Sequence, residues 1–267
     1  MTRLFLLLIV ILLLGPLLAP HDPLLQQREL ANLAPTAQHW LGTDDYGRDV
    51  ASRFLAGASW SILVGAAATA LVLAIAWLIG GAAGFLGGWV DQLAMRLADL
   101  FLVLPWFYLL LGLRSLLPLS LPPRPAFALL LLTIALVSWA RPARLVRGLV
   151  LTAKEAGYVH AARGFGVPAP VIFFRHVLPA TFDLLATQAL ILLPRFILAE
   201  VSLSFLGLGL GEPDPSWGAL LVPLKQAWML DQQWWRLLPA LCMMPVFIGF
   251  AALARQWGGS SARSTLR

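Results

Sequence analysis

The sequence predicts an all-α fold, a polytopic membrane helical bundle of six transmembrane helices, and three observations carry that expectation. Of 267 residues, 60% are hydrophobic and only 12% are charged, with a mean hydropathy of +0.81. A soluble domain holds about 45–50% apolar and about 25% charged residues, so there is too little polar sequence here to cover a core. Secondly, the apolar residues form continuous runs and lack the period-two alternation of a strand-built barrel. Thirdly, Lys and Arg concentrate in one inter-run segment, the asymmetry of a cytoplasmic loop. The same composition excludes disorder, a coiled coil and a DNA-binding domain. The net charge of +6 reads as loop charge and implies no nucleic-acid partner.

A helical span needs about 20 mostly apolar residues. The runs are Leu4–Ala19, Ile62–Leu86, Leu100–Leu117, Ala126–Ala140, Leu184–Leu206 and Leu237–Leu253. The first and fourth are short, and the flanking Thr2-Arg3 and Arg141 can snorkel to extend them. The first run reads as a retained anchor, because Leu17-Leu18-Ala19-Pro20-His21 offers no small-residue cleavage site. Between the fourth and fifth runs stand Arg141, Arg144, Arg147, Lys154, Arg163 and Arg175 against Glu155. This segment should face the cytoplasm, which puts both termini inside, where Arg255, Arg263 and Arg267 fit. The segment after the first run carries Asp22, Glu29, Asp44, Asp45 and Asp49 and falls outside. Residues 1–60 then form an anchor helix with an extracytoplasmic segment. Residues 61–267 form the core membrane domain, with a cytoplasmic loop at about 141–179.

Catalytic chemistry is missing from the pattern. The four histidines, His21, His39, His160 and His176, lie in loops and make no H-E-x-x-H, and no G-x-S-x-G elbow occurs. A phosphate-binding loop needs Gly-Lys-Ser/Thr, whereas the two lysines sit in Ala153-Lys154-Glu155 and Leu224-Lys225-Gln226. Any ATP energy must therefore come from another chain. Cys242 is alone and apolar in setting. Asp44, Asp45 and Asp49 complete no ligand set and read as capping and surface charge, with Thr43-Asp44-Asp45 opening a short surface helix through Arg48, Val50, Arg53 and Phe54. No catalytic, cofactor-binding or metal-ligating residue is assigned, and no cofactor is expected.

The basic loop is patterned more tightly than a connector. Arg141, Arg144 and Arg147 recur every third residue along one side of a helical extension, with Pro142 suited to its first turn. Thr152-Ala153-Lys154-Glu155 reads as a capping box opening a second short helix through Tyr158, Ala161 and Ala162, which Gly164 and Gly166 end. Pro168 and Pro170 bracket a turn, Val171–His176 gives a further helical piece, and Pro179 leads into the next run.

Ala161-Ala162-Arg163-Gly164-Phe165-Gly166, then nine residues, then His176-Val177-Leu178-Pro179 resembles the EAA loop of ABC-importer permeases. Leu41-Gly42-Thr43-Asp44-Asp45-Tyr46-Gly47-Arg48-Asp49-Val50 is similar to the outside segment of the dipeptide/oligopeptide/nickel branch of that family. Ala199–Gly209, with Pro215-Ser216-Trp217-Gly218, resembles its fifth span and following loop. Gly87-Gly88-Trp89-Val90-Asp91 and Pro105 fit as well. Two departures stand out: His160 occupies the acidic position that opens the motif, and His176 a position where the general motif is aliphatic.

The resemblance implies the second permease subunit of an ABC importer of the type I kind, carrying peptides or a related small solute such as a nickel chelate or a sugar. Its partners would be an unlike permease subunit in a heterodimer, two ATPase subunits and an extracytoplasmic solute-binding protein. Tyr158, Ala161, Ala162, Arg163, Gly164, Gly166, His176 and Pro179 would form the loop that couples to the ATPase. A secondary transporter would call for internal repeats around a midplane ion site, and a membrane-embedded enzyme for a catalytic set; the sequence displays neither.

Arg195 and Glu200 lie inside the fifth run, where charge is costly. Five residues apart on a helix, they point away from each other. Two readings stand: they border the translocation path together with Ser204, Gly207 and Gly209, or they are structural charges with partners elsewhere. Gly207, Gly209 and Gly211 should break the helix, and Glu212–Trp217 should fold back outside as a gate or a face toward the binding protein. Trp217, Trp228, Trp234 and Trp235 read as interfacial anchors.

Overall fold

The computed structural model describes residues 2–117, 123–209, 215–226 and 233–264, with side chains for 5–117, 125–209, 215–226 and 233–256. Gly211, Glu212, Pro213, Asp214, Trp228 and the side chains of Arg3, Arg263 and Arg267 lie outside the described residues. The helices are α1 (Thr2–Leu13), α2 (Gly15–Leu18), α3 (Val50–Leu86), α4 (Gly88–Val103), α5 (Trp106–Ser115) and α6 (Pro123–Ser138). They continue with α7 (Ala140–Ala153), α8 (Gly157–Gly164), α9 (Ala169–Ile172), α10 (Phe182–Phe205), α11 (Trp217–Leu221) and α12 (Leu238–Ser264). The fold is all-α, as the continuous apolar runs require.

Three helical stretches among the described residues, Val50–Leu86, Ala169–Phe205 and Trp234–Gln256, are long and apolar enough to cross a membrane. Two bent pairs bring the number to five if each pair is one span. These are α4 with α5, bent by 87°, and Pro125–Ser138 with α7, bent by 52°. The remaining run of the expected six, Leu4–Ala19, folds as α1 and the single turn of α2. The breaks have local causes. Gly87 and Gly88, at φ +66° and +56°, separate α3 from α4 in a backbone region open to glycine. Leu104 is extended ahead of Pro105, as a residue before proline must be, and α5 begins afresh.

The expected surface helix from Thr43 does not form. Asp44 instead closes a turn, its Oδ1 accepting the backbone N–H groups of Tyr46 and Arg48 at 2.9 Å each. Asp49 caps α3, with Oδ2 accepting the Ser52 N–H at 2.7 Å. Val50–Phe54 are therefore the first turns of the long helix. The aspartate nearest the apolar run wins the cap because its side chain reaches the first free N–H groups.

The chain divides into two compact units. One comprises Met1–Ala66, Arg114–Leu130 and Pro194–Arg255, with Ala58, Val64, Phe196, Ile197, Leu203 and Trp217 fully buried. The other comprises Ala67–Leu113, Leu131–Leu193 and Gln256–Arg267. It holds two core clusters: Ala76, Ala98, Trp139, Ala140 and Ala143, then Val146, Val150, Val159, Ile172 and Val177. Large apolar side chains such as Leu78, Leu132 and Ile248 stay on the outside, where lipid is the natural solvent.

Candidate functional site

In the second unit, the segment following α6 is built on α7, whose apolar face packs inward while Arg144 and Arg147 reach α4. Gly80 and Gly84 of α3 admit α7 closely. A Cβ on Gly80 would meet the Ala143 backbone, and one on Gly84 would lie 2.9 Å from the Arg147 carbonyl oxygen. Arg147 pairs bidentately with Asp91, the Nη2–Oδ2 distance being 2.5 Å, and Arg144 pairs with Asp99. The hydrogen-bonded Arg147 guanidinium holds the Asp91 carboxyl below the usual carboxylate range, against an opposing effect of burial. Asp91 precedes the apolar run that begins at Leu100. Lys154 Nζ donates to the Gly84 carbonyl at 3.1 Å.

The predicted capping box is absent. Thr152 Oγ1 turns back to the Gly148 carbonyl at 3.3 Å, so α7 runs on through Ala153. The α8 helix starts at Gly157 behind an extended Ala156 with no side-chain cap. Glu155 faces the exposed His160 at 3.4 Å instead. The helix ends at Gly164, and Gly166 at φ +75° lets Val167 N–H reach the Ala162 carbonyl at 3.1 Å. α9 then passes into a wide turn, Phe173–Val177, and a short tight one, Pro179–Thr181.

The two faces of α8 differ sharply. Val159 is buried, and Ala162 is half-buried against the cluster of Val146, Val150, Ile172 and Val177. Outward stand Tyr158, Ala161, Arg163, Gly164, Phe165 and Gly166, Phe165 being 87% exposed. Ala162 packs inward because it lies three residues from Val159 on the same helix face. His176 and Pro179 are half-buried, and the His176 ring stands 6.5 Å from that of Tyr158.

In the first unit, Glu200 of α10 is fully buried and accepts from Ser61 Oγ and Ser204 Oγ, both at 2.7 Å, on separate oxygens. Ser216 also hydrogen-bonds to it. Ser61 Oγ in turn accepts the Trp217 N–H at 3.2 Å, and the Trp217 indole donates to the Phe54 carbonyl at 3.2 Å. Trp217 is fully buried, stacked on Phe54 at 5.6 Å, which corrects its reading as an interfacial anchor. Its N–H finds a backbone partner inside, so water is not needed. Close approaches complete the cluster: a Cβ on Gly218 would run into Val201 O and Ser204 Cβ, and one on Gly57 would lie 3.1 Å from the Ser216 carbonyl carbon.

The helix break falls where the glycines placed it. α10 ends at Phe205, Gly207 takes φ +85°, and Leu208 N–H bonds the Leu203 carbonyl at 2.8 Å. Gly209 packs on Ser204, and its carbonyl accepts from the buried Arg114 at 3.3 Å. Arg195 is half-buried, one residue after Pro194 within α10. Glu200, Ser204 and Gly209 are thus brought together. Sequence reading missed Ser61, Arg114 and the Gly80/Gly84 face. Gly80 and Gly84, four apart in an apolar run, are the small-residue spacing of close helix packing and carried that signal.

These features define a helical membrane protein that holds out a small structured helix beside its apolar stretches. Residues 76–256 match the family of binding-protein-dependent transport system inner membrane components, and the chain belongs to it. It is similar to the dipeptide transport system permease protein DppC of Bacillus subtilis, at 36% identity over 89% of this chain and 72% of that protein. The probable D,D-dipeptide transport system permease protein DdpC of Escherichia coli is 34% identical over 91% of this chain and 80% of its own length. The oligopeptide transport system permease protein OppC of B. subtilis is 33% identical over 80% and 68%. The chain is an integral inner-membrane transport component of an ABC importer and not an enzyme; it acts with ATPase and substrate-binding partners.

Proposed function

We propose that the chain forms half of a path for peptides across the inner membrane, paired with a second, unlike permease and driven by two ATPase subunits. The peptide class follows from the curated relatives, which are named for dipeptides and oligopeptides. Both termini face the cytoplasm, as the Arg-rich segment between α6 and α10 supports. Residues 1–60 serve as anchor and extracytoplasmic segment, and residues 61–267 as the permease core with its coupling loop at about 141–179.

The observation that carries the mechanism is the division of α8. Its inner face packs on α7, which the Arg147–Asp91 and Arg144–Asp99 pairs join to α4, while Tyr158, Ala161, Arg163, Gly164 and Phe165 remain outward. A rigid mount with an exposed apolar tip suits transmission of ATPase closure to the spans, the rigid-body coupling of alternating access. Glu200, buried with Ser204, acts as a scaffold for the end of α10 that Gly207 and Gly209 terminate.

The test separates docking from folding. Ala161→Asp places an unpaired charge on the outward face and should yield a stable permease that co-purifies poorly with its ATPases and transports little. Ala162→Asp, on the packed face, should lower expression of the permease itself. If Ala161→Asp binds the ATPases and transports at the wild-type rate, α8 is not the coupling element.

A further inference from the structure

The extracytoplasmic segment contains a side-chain cluster outside the coupling machinery. His21, which follows α2, and His39, ten residues ahead of Asp49, both direct Nδ1 at the Asp49 carboxylate. The His39 Nδ1–Oδ1 distance is 2.9 Å and the His21 Nδ1–Oδ2 distance 3.8 Å. One ligand atom from each residue lies within 4.8 Å of the others, and the two rings are 4.9 Å apart, tilted by 31°. Asp49 is 3% exposed and His39 8%, whereas the His21 side chain is 42% exposed. The cluster is closed on the protein side and open on one.

We propose that this cluster is a three-ligand site for a divalent transition ion of the zinc type. Two imidazole nitrogens and a carboxylate oxygen are ligands zinc takes at about 2.0–2.2 Å, and a tetrahedral arrangement at those lengths puts ligand atoms about 3.4 Å apart. The observed separations of 2.9 and 3.8 Å, each to a different oxygen of Asp49, straddle that value, and the three ligand atoms all lie within 4.8 Å of one another. A lone His–Asp hydrogen bond accounts for His39 only; the His21 nitrogen stops beyond hydrogen-bond distance, at the spacing of a co-ligand. One buried residue ties the site together. Ser52 donates its N–H to Asp49 Oδ2 at 2.7 Å, and its Oγ accepts the backbone N–H of His21 at 3.0 Å. The first bond fixes the direction of the carboxylate, as outer-shell bonds do at metal sites, and the second holds the His21 backbone against the start of α3. The open side at His21 leaves the fourth position to water. The ion would clasp the chain leaving α2 to the first turn of α3, independently of what the permease carries.

The purified full transporter, stripped with EDTA and titrated with Zn²⁺ against a chromogenic chelator, should bind one more equivalent than the same complex carrying His21→Ala or His39→Ala. Affinity at this site should fall by about tenfold or more in either variant. Zn²⁺ should raise the unfolding temperature of the wild type and leave that of His21→Ala unchanged. His21→Ala keeps the His39–Asp49–Ser52 bonds, so it should fold as the wild type does. Equal zinc binding by wild type and His21→Ala, or a wild-type unfolding temperature indifferent to zinc, overturns the proposal.

Discussion

The α7–α8 mount and the Glu200 cluster fix irregular chain by opposite means. The mount uses full charges in partial contact with solvent: Arg144 and Asp99 are 43% and 55% exposed, and Arg147 and Asp91 are 31% and 18% exposed. Such pairs contribute little each, about 0–1 kcal/mol, and they leave one face of α8 uncovered. The Glu200 cluster places a single carboxylate beyond water and surrounds it with hydroxyls from α3, α10 and the residue ahead of α11. Every buried acceptor there is matched, so removing one member strands the others. Tolerance should therefore be high in the mount and low in the cluster.

The largest effect is expected from Glu200→Ala. It leaves a cavity and unsatisfied serine hydroxyls, costing about 3 kcal/mol or more. Thermal unfolding of the purified complex checks this, and Glu200→Gln, which keeps an acceptor and the volume, should lose less. An unchanged unfolding temperature for Glu200→Ala would sink the view of the cluster as a tight scaffold. Gly218→Val should behave like Glu200→Ala, because its side chain enters Val201 and Ser204.

A smaller effect attaches to Asp91. Because its pKa is depressed in the folded state, its contribution is fully present above the ordinary carboxylate value of about 4. It is lost as pH falls through the lower folded value. Asp91→Asn should cost about 1 kcal/mol at neutral pH and flatten the acid limb of stability against pH. An identical acid limb in the variant would show that the Arg147 pair carries no stability.

The smallest effect has the opposite sign. Gly148 lies exposed inside α7, and a Cβ added there would have nothing within 4 Å of it. Gly148→Ala should stabilise by about 0.5–1 kcal/mol through helix propensity alone, and a loss of stability would mean that this side of α7 is covered.

Both regions were legible in outline. Pro105 and Gly207 mark breaks because proline and positive-φ glycine act through their own backbone, and the structure bends or ends helices at both. Glu200 stood out as a charge in an apolar run, yet its partner Ser61 is 139 residues away and carries no periodic signal. The capping box failed because the Thr152 hydroxyl had a carbonyl within its own helix to satisfy, a choice that a four-residue pattern does not decide.

What the sequence determined by itself was the solvent and the helices. Continuous apolar runs, with every backbone N–H and C=O needing a partner away from water, leave helix as the answer, and the Ala161–Gly166 and His176–Pro179 segments carried the family resemblance. What only the tertiary structure decided was which face each residue takes. Ala161 lies outside and Ala162 against Val146 and Val150; Trp217 is buried on Phe54; His21 and His39 converge on Asp49. The reason is physical. Helix formation is set by residues within a turn of one another, whereas burial, pairing and convergence are set by chain that meets them from tens or hundreds of positions away.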